Sequence, residues 1–311
     1  MTEDNTASML DRVLDWWFKP FAVQYIRIYE VLMCLTMVYY FGGYMTQMEW
    51  WIGDMGFHPS AAATSSHYLP PPPRPSAEWF SPIVTTFYFL VGIYLIGYGR
   101  RILNWVFFAL AVYVQAMDQP SAFTINRMLI LYFFMLGLQP FTKTVTDVAG
   151  KSKEVVSGWI VRIIQLTLTI QYTASGFCKM HGDWLDDSTL VRLNIVWTQS
   201  QGHYKNLISA WAVNDLPMPI WGMLAVTTLV FETGAVVFFF WKRTRLWTVF
   251  LGLMMHVAIA ILMKDLIYFS MQMMMAYVFF LPENWVERIA DWRNWNVFRS
   301  PKTAVDSFTD T

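Results

Sequence analysis

Lys179 closes a long apolar run within residues 171–184, QYTASGFCKMHGDW, and its placement suggests chemistry more directly than that of any other side chain. A charged amine costs roughly 3 kcal/mol at the bilayer centre on insertion scales and stays unfavourable near the edge, so a lysine delivered there implies a use. An amine that is partly desolvated and faces a polar pocket binds its proton less tightly, which is what a lysine base requires. Asp183 and Trp184 follow at once, and Trp prefers the boundary between apolar and polar surroundings.

Other polar side chains lie inside apolar stretches. Arg27 and Glu30 are spaced i, i+3, on one helix face, the arrangement of a structural ion pair. Asn126 and Arg127 open one apolar segment, and Arg162, Gln165 and Gln171 lie in the segment that ends beside Lys179. Glu232 and His256 fall near the middle of two further segments joined by a short turn. Ionisable groups within a membrane face a protein interior or cavity and read first as functional. Arg162, close to a segment end, is expected to snorkel. For His256 two alternatives stand: a hydrogen bond to Glu232, or a core histidine satisfied elsewhere. The 20 methionines, Met271 and Met273 among them, read as packing rather than soft-metal ligands, because no Cys or His is interleaved with them. No metal is implied.

The elements that must position these residues follow from composition. The chain has 311 residues, 56% hydrophobic and 18% aromatic, with zero formal net charge. That is the profile of a polytopic membrane protein rather than an ordinary soluble domain, and it argues against a nucleic-acid partner. Cys34 and Cys178 both lie in apolar stretches and imply no disulfide framework. Apolar segments at 20–44, 82–98, 102–117, 124–141, 158–178, 217–241, 246–263 and 266–281 predict an all-α integral membrane protein of about eight transmembrane helices. Fourteen basic residues, Arg12, Arg100, Arg101, Lys242 and Arg243 among them, fall on one side against six on the other. This asymmetry places the N and C termini in the cytoplasm and the loops 45–81 and 179–216 outside.

Residues 1–19 are acidic and amphipathic without an uncharged apolar core, so they read as an interfacial helix rather than a cleaved signal peptide. The first outer loop carries LPPPPRP, a stiff polyproline strut. In the second, Asp186, Asp187 and Ser188 precede TLVRLNIVW, which predicts a capped amphipathic helix lying on the outer face as a lid. The expected organisation is an interfacial segment 1–19, a transmembrane domain 20–285 and a cytoplasmic tail 286–311.

Several of these segments resemble a known family. GFCKMHGDWLDD is similar to the AG-x-x-K-x-x-x-x-W-x-x-G segment of the vitamin K-dependent gamma-carboxylase-like membrane domain, also called the HTTM domain. Around it, in family order, stand PFAVQYIRIYEVLM, YGRRILNWVFFALAVYVQAMDQPS, FETGAVVFFFWKRTRLWTVFLGLMMH and LIYFSMQMMMAYVFFL. The resemblance covers nearly all of residues 15–285. It implies that Lys179 is the base toward a reduced quinone, vitamin K or menaquinone-like. Addition of O2 then gives a strong oxygen base that removes a proton from the γ-carbon of a glutamate, and CO2 traps the carbanion. An apolar pocket strengthens such a base and protects the carbanion from water.

Under that resemblance Arg127 and His256 stabilise negative charge, while Asn126, Asp183, Trp184 and Glu232 line the substrate and cofactor pocket. Arg127 stands where the carboxylases carry a histidine; it can hold an anion but cannot accept a proton. The quinone tail would enter from membrane lipid and an exported peptide or small protein from the outer face of a bacterial cytoplasmic (inner) membrane. Residues 286–311 are short beside the extramembrane domain of the carboxylases. The alternative is therefore a non-catalytic maturation factor for an exported peptide or toxin, like stand-alone family members that mature a sporulation-delaying peptide, acting with a soluble or lipid-anchored partner subunit.

Overall fold

The computed structural model describes residues 8–51, 72–117, 124–139, 142–146, 152–182, 184–185, 207–263 and 266–291. They are mostly helical. In chain order the elements are α1 Met9–Phe18, β1 Phe21–Ala22, α2 Val23–Thr46, α3 Met48–Trp51, α4 Phe80–Ile96, α5 Arg100–Met117 and α6 Thr124–Gly137. Strands β2 Lys143–Thr146 and β3 Ser152–Val156 follow. Helices α7 Gly158–Met180, α8 Leu207–Asp215, α9 Met218–Thr233, α10 Ala235–Phe240, α11 Arg245–Leu262, α12 Ile267–Met275 and α13 Glu283–Asp291 complete the described chain.

Each apolar segment expected to span the membrane contains helix, but length and apolarity qualify fewer of them as spans. Ala77–Ile96 and Arg245–Leu262 are long and apolar enough to cross a membrane, and a third span results if α8 and α9, bent by 110° at their junction, act together. The shortfall has physical causes. Helices α6 and α12 are shorter than the roughly 20 residues a bilayer needs. Helix α7 carries Arg162, Gln165, Gln171 and Lys179, and α2 carries Arg27 and Glu30. The expected lid helix at 189–197, most of the first outer loop and most of the C-terminal tail lie outside the described residues.

The chain divides into two compact units, one of Pro20–Ile160 with Asn284–Thr311 and one of Met1–Lys19 with Val161–Glu283. In the first, Tyr29, Phe41, Tyr94, Phe107, Tyr132 and Phe133 are buried. Helix α4 ends on Gly97, whose φ of 94° gives the left-handed turn that stops it. The small sheet here was not expected from an all-α reading: β3 lies between β1 and β2, antiparallel to both, with Phe21 opposite Val156 and Thr144 opposite Glu154.

That sheet also changes the ion pairing. Arg27 pairs with Glu154 at 2.5 Å and Glu30 with Arg100 at 3.1 Å, in place of the Arg27–Glu30 pair that their spacing suggests. Glu154 comes to Arg27 on a strand far away in sequence, and i, i+3 spacing carries no signal of it. Arg27 still acts electrostatically on Glu30.

In the second unit α7 is the organising element. Its residues Arg162, Gln165, Thr169, Tyr172 and Gly176 recur every three or four positions and are all buried, so they form one face. Arg162 does not snorkel. Its Nε donates to the Trp16 carbonyl at 3.2 Å, its guanidinium lies 4.3 Å from the Trp16 ring centre, and it donates to Gln165 at 2.9 Å. Gln165 in turn donates to the Phe279 carbonyl at 2.7 Å. The expected single helix over 217–241 is broken at Gly234, with α9 ending before it and α10 starting after it.

Candidate functional site

Lys179, in the last turn of α7, meets Glu232 near the end of α9. Its Nζ donates to both carboxylate oxygens, each at 2.5 Å, and to Ser175 Oγ at 3.1 Å. The three donors of an ammonium thus meet three acceptors. The Glu232 side chain is 8% exposed and that of Lys179 21%, so the pair opens on the lysine side. Trp184 closes one wall: its ring centre lies 4.8 Å from Nζ, and its indole N–H donates to the Ala225 carbonyl at 3.1 Å. One residue therefore covers the amine while tied to the helix that carries the carboxylate.

Gly176 makes the pairing possible. A Cβ at that position would stand 2.7 Å from the Thr233 backbone nitrogen and 3.0 Å from the Glu232 carbonyl carbon. Helix α7 consequently rests on the α9 backbone one turn below Lys179, which sets how far apart amine and carboxylate lie. Trimming that side chain to hydrogen is what allows the close approach.

His256 belongs to a second, deeper network. Its Nε2 lies 2.5 Å from the Tyr172 hydroxyl, which lies 2.6 Å from the Tyr277 hydroxyl, and its Nδ1 is 3.4 Å from Ser270 Oγ. Phe231 and Phe239 pack on Tyr172, and Phe269 packs edge-on to His256. The alternative of a Glu232–His256 hydrogen bond is therefore corrected: Glu232 turns to Lys179, and the imidazole takes a phenol. Similar depth along neighbouring helices did not make them partners. Both networks hang on the same face of α7, and the Lys179 charge is felt at His256.

The remaining expected site residues distribute as follows. Asn126 is buried in the other unit and accepts from the Tyr40 hydroxyl at 2.5 Å; Arg127 beside it is exposed. Asp183 lies outside the described residues. Among the described residues no group of three or more His, Cys, Asp or Glu could hold a metal ion. Residues overlooked by sequence reasoning are Tyr172, Ser175, Gly176, Ser270 and Tyr277. A signal existed for three of them, since Tyr172, Ser175, Gly176 and Lys179 stand at i, i+3, i+4 and i+7, one face of a helix.

Comparisons with family models, with curated proteins and with solved structures gave no match.

Proposed function

We propose that the unit built on α7 is a membrane-embedded base site of gamma-carboxylase-like type, acting on an exported peptide at the outer face of a bacterial cytoplasmic membrane, in a chain of about eight spans with cytoplasmic termini. The observation that carries this reading is the half-open Lys179–Glu232 pair. Lysine, unlike arginine, can give up its proton, and here a carboxylate stands at 2.5 Å to receive it. Passing that proton to Glu232 leaves a neutral amine held by Ser175 and an uncharged carboxylic acid. The amine then takes a proton from an acidic hydroxyl placed against it.

The residues present fit a reduced quinone: a base and an acceptor for its hydroxyl, with the Trp184 indole as a flat apolar wall. Bound with O2, such a group would supply the strong base for the carbon acid, and CO2 the group added. Lys179, Glu232 and Ser175 hold and move the proton, while Trp184 excludes water.

A second reading rests on the same bond. A lysine neutralised by both oxygens of a carboxylate is also how a helix pair is locked, as a non-catalytic maturation factor would require. Intact-mass analysis of exported peptides separates the two, using cells with wild-type, Lys179→Met or Glu232→Gln protein at matched membrane levels. A peptide that gains the mass of CO2 only with wild type is the expected result. Any other Lys179-dependent mass change keeps the base and replaces the reaction. Identical profiles overturn catalysis and leave the maturation factor, for which a small exported protein should copurify.

A further inference from the structure

Outside the Lys179 site, the same unit carries a groove of about 380 Å³ between α9, α10 and α11. That is within the size range of ligand pockets. Val226, Val230, Phe231, Phe238, Trp247 and Leu251 supply its apolar lining, with the hydroxyls of Thr244 and Thr248 at one end. At Gly234, where α9 gives way to α10, the Phe238 ring lies so close that a Cβ on the glycine would meet it.

Helix α11 is one of two helices among the described residues that are long and apolar enough to cross a membrane, and the groove opens outward through exposed apolar side chains. Val230 is 54% exposed and Trp247 76%.

The groove ends at a basic turn. Lys242 and Arg243, both exposed, directly precede Thr244 in the lining. Arg245 is used within the fold, its guanidinium donating to the Phe239 and Phe240 carbonyls. Lys242 and Arg243 are the exposed cations of the turn that leads into Thr244. No carboxylate occurs in the chain between Glu232 and Asp265. An apolar slot with threonine hydroxyls in its lining, beside a turn that carries two exposed cations, matches one ligand chemistry: a hydrocarbon chain joined to a phosphate.

We propose that this groove binds an anionic phospholipid, with an acyl chain along Val226, Val230 and Leu251 and the phosphate on Lys242 and Arg243. Basic clusters at the end of a membrane helix attract anionic headgroups, and the cytoplasmic leaflet, where the positive-inside asymmetry puts this turn, is where those lipids concentrate. The inference is independent of any reaction at Lys179, which does not line the groove.

The test is lipid retention by the purified full-length protein, read by native mass spectrometry after mixing with phosphatidylglycerol or phosphatidylcholine of matched chains. Wild type should retain phosphatidylglycerol over phosphatidylcholine by roughly tenfold or more, the scale of two basic residues near a headgroup. The Lys242→Gln/Arg243→Gln double variant should fall to the phosphatidylcholine level. Val230→Trp, which fills the slot and leaves both charges, should lose both lipids, and Lys179→Met should retain them like wild type. Equal retention of the two lipids by wild type, or an unchanged preference in the double variant, overturns the headgroup assignment. Full retention by Val230→Trp overturns the groove. Melting temperatures of all variants show that they are folded.

Discussion

Each unit buries an ion pair between helices, and the two pairs are built differently. In the first, Arg100 and Glu30 have side chains 12% and 6% exposed, and Arg100 also donates from Nε to the Tyr94 carbonyl at 3.2 Å. In the second, Lys179 is 21% exposed beside Glu232 at 8%. The arginine keeps its proton under all ordinary conditions and spreads donors in a rigid fork, so its pair can only hold helices together. The lysine is a compact cation on a flexible stem, able to exchange a proton, and its pair is the one left partly open. The contrast teaches that burying a charge pair does not define its purpose; the cation chosen and the access left to it do.

The largest expected effect tests that contrast directly. Arg100→Met removes the ion-pair partner of Glu30, leaving it Asn104 and the more distant Arg27, and should cost about 3–5 kcal/mol, the usual penalty for breaking a buried pair. Lys179→Met should cost clearly less, because the lysine side of its pair is the more open, 21% exposed against 12% for Arg100. Melting temperatures of both variants in one detergent decide the matter. Equal losses would make the lysine pair structural and erase the difference between the units.

An intermediate effect is expected from paired glycine substitutions. Gly176→Ala presses a methyl onto the α9 backbone, and Gly137→Ala presses one onto the Trp105 ring at 2.7 Å in the other unit. Overpacking of this kind costs about 1–3 kcal/mol. Under the proposed function, Gly176→Ala should in addition remove Lys179-dependent peptide modification, since it separates the amine from its carboxylate. Comparable stability losses with modification lost only in Gly176→Ala would sharpen the comparison; modification surviving in both would count against the seating of Lys179.

The smallest effect concerns α1. Hydrogen bonds from Ser8 hold the Asp11 carboxyl below the ordinary value of 3.8, and Asp11 N–H donates back to Ser8 Oγ at 3.1 Å. A lowered carboxyl contributes fully above its unfolded value and loses its contribution as pH falls through the folded one. Protection of the α1 amides, taken relative to the intrinsic exchange rate at each pH, should therefore fall only below about pH 4, and Asp11→Asn should lower it at neutral pH while leaving the first unit unchanged. Protection that is flat with pH would show that the Trp16 contacts with Arg162 and Phe240 hold this helix without the cap.

Much of the helical layout was legible, because a run of apolar residues is a local signal. Lys179 was legible for the same reason, being a charge at the edge of such a run. Long-range partners were not. Glu154 reaches Arg27 on a strand of polar residues in what reads as a plain connection, and KTVT alone carries too weak a pattern to announce a sheet. Glu232 was recognised as an embedded acid, yet its partner stands 53 residues away on α7. Depth along a helix pointed to His256, whereas the rotation of α7 decided the outcome. The face holding Tyr172, Ser175, Gly176 and Lys179 contained that rotation.

The contact of Gly176 with the α9 backbone has a further meaning for how such a site can diversify. Because the α9 main chain, with the Thr233 methyl, sets how closely amine and carboxylate approach, the walls around them are free to drift. Exchanges at Trp184 or Phe231 would remodel the surroundings of the Lys179–Glu232 pair while its spacing is kept. A scaffold seated this way separates the geometry of the ion pair from the identity of its neighbours, so each can change by single substitutions without the other.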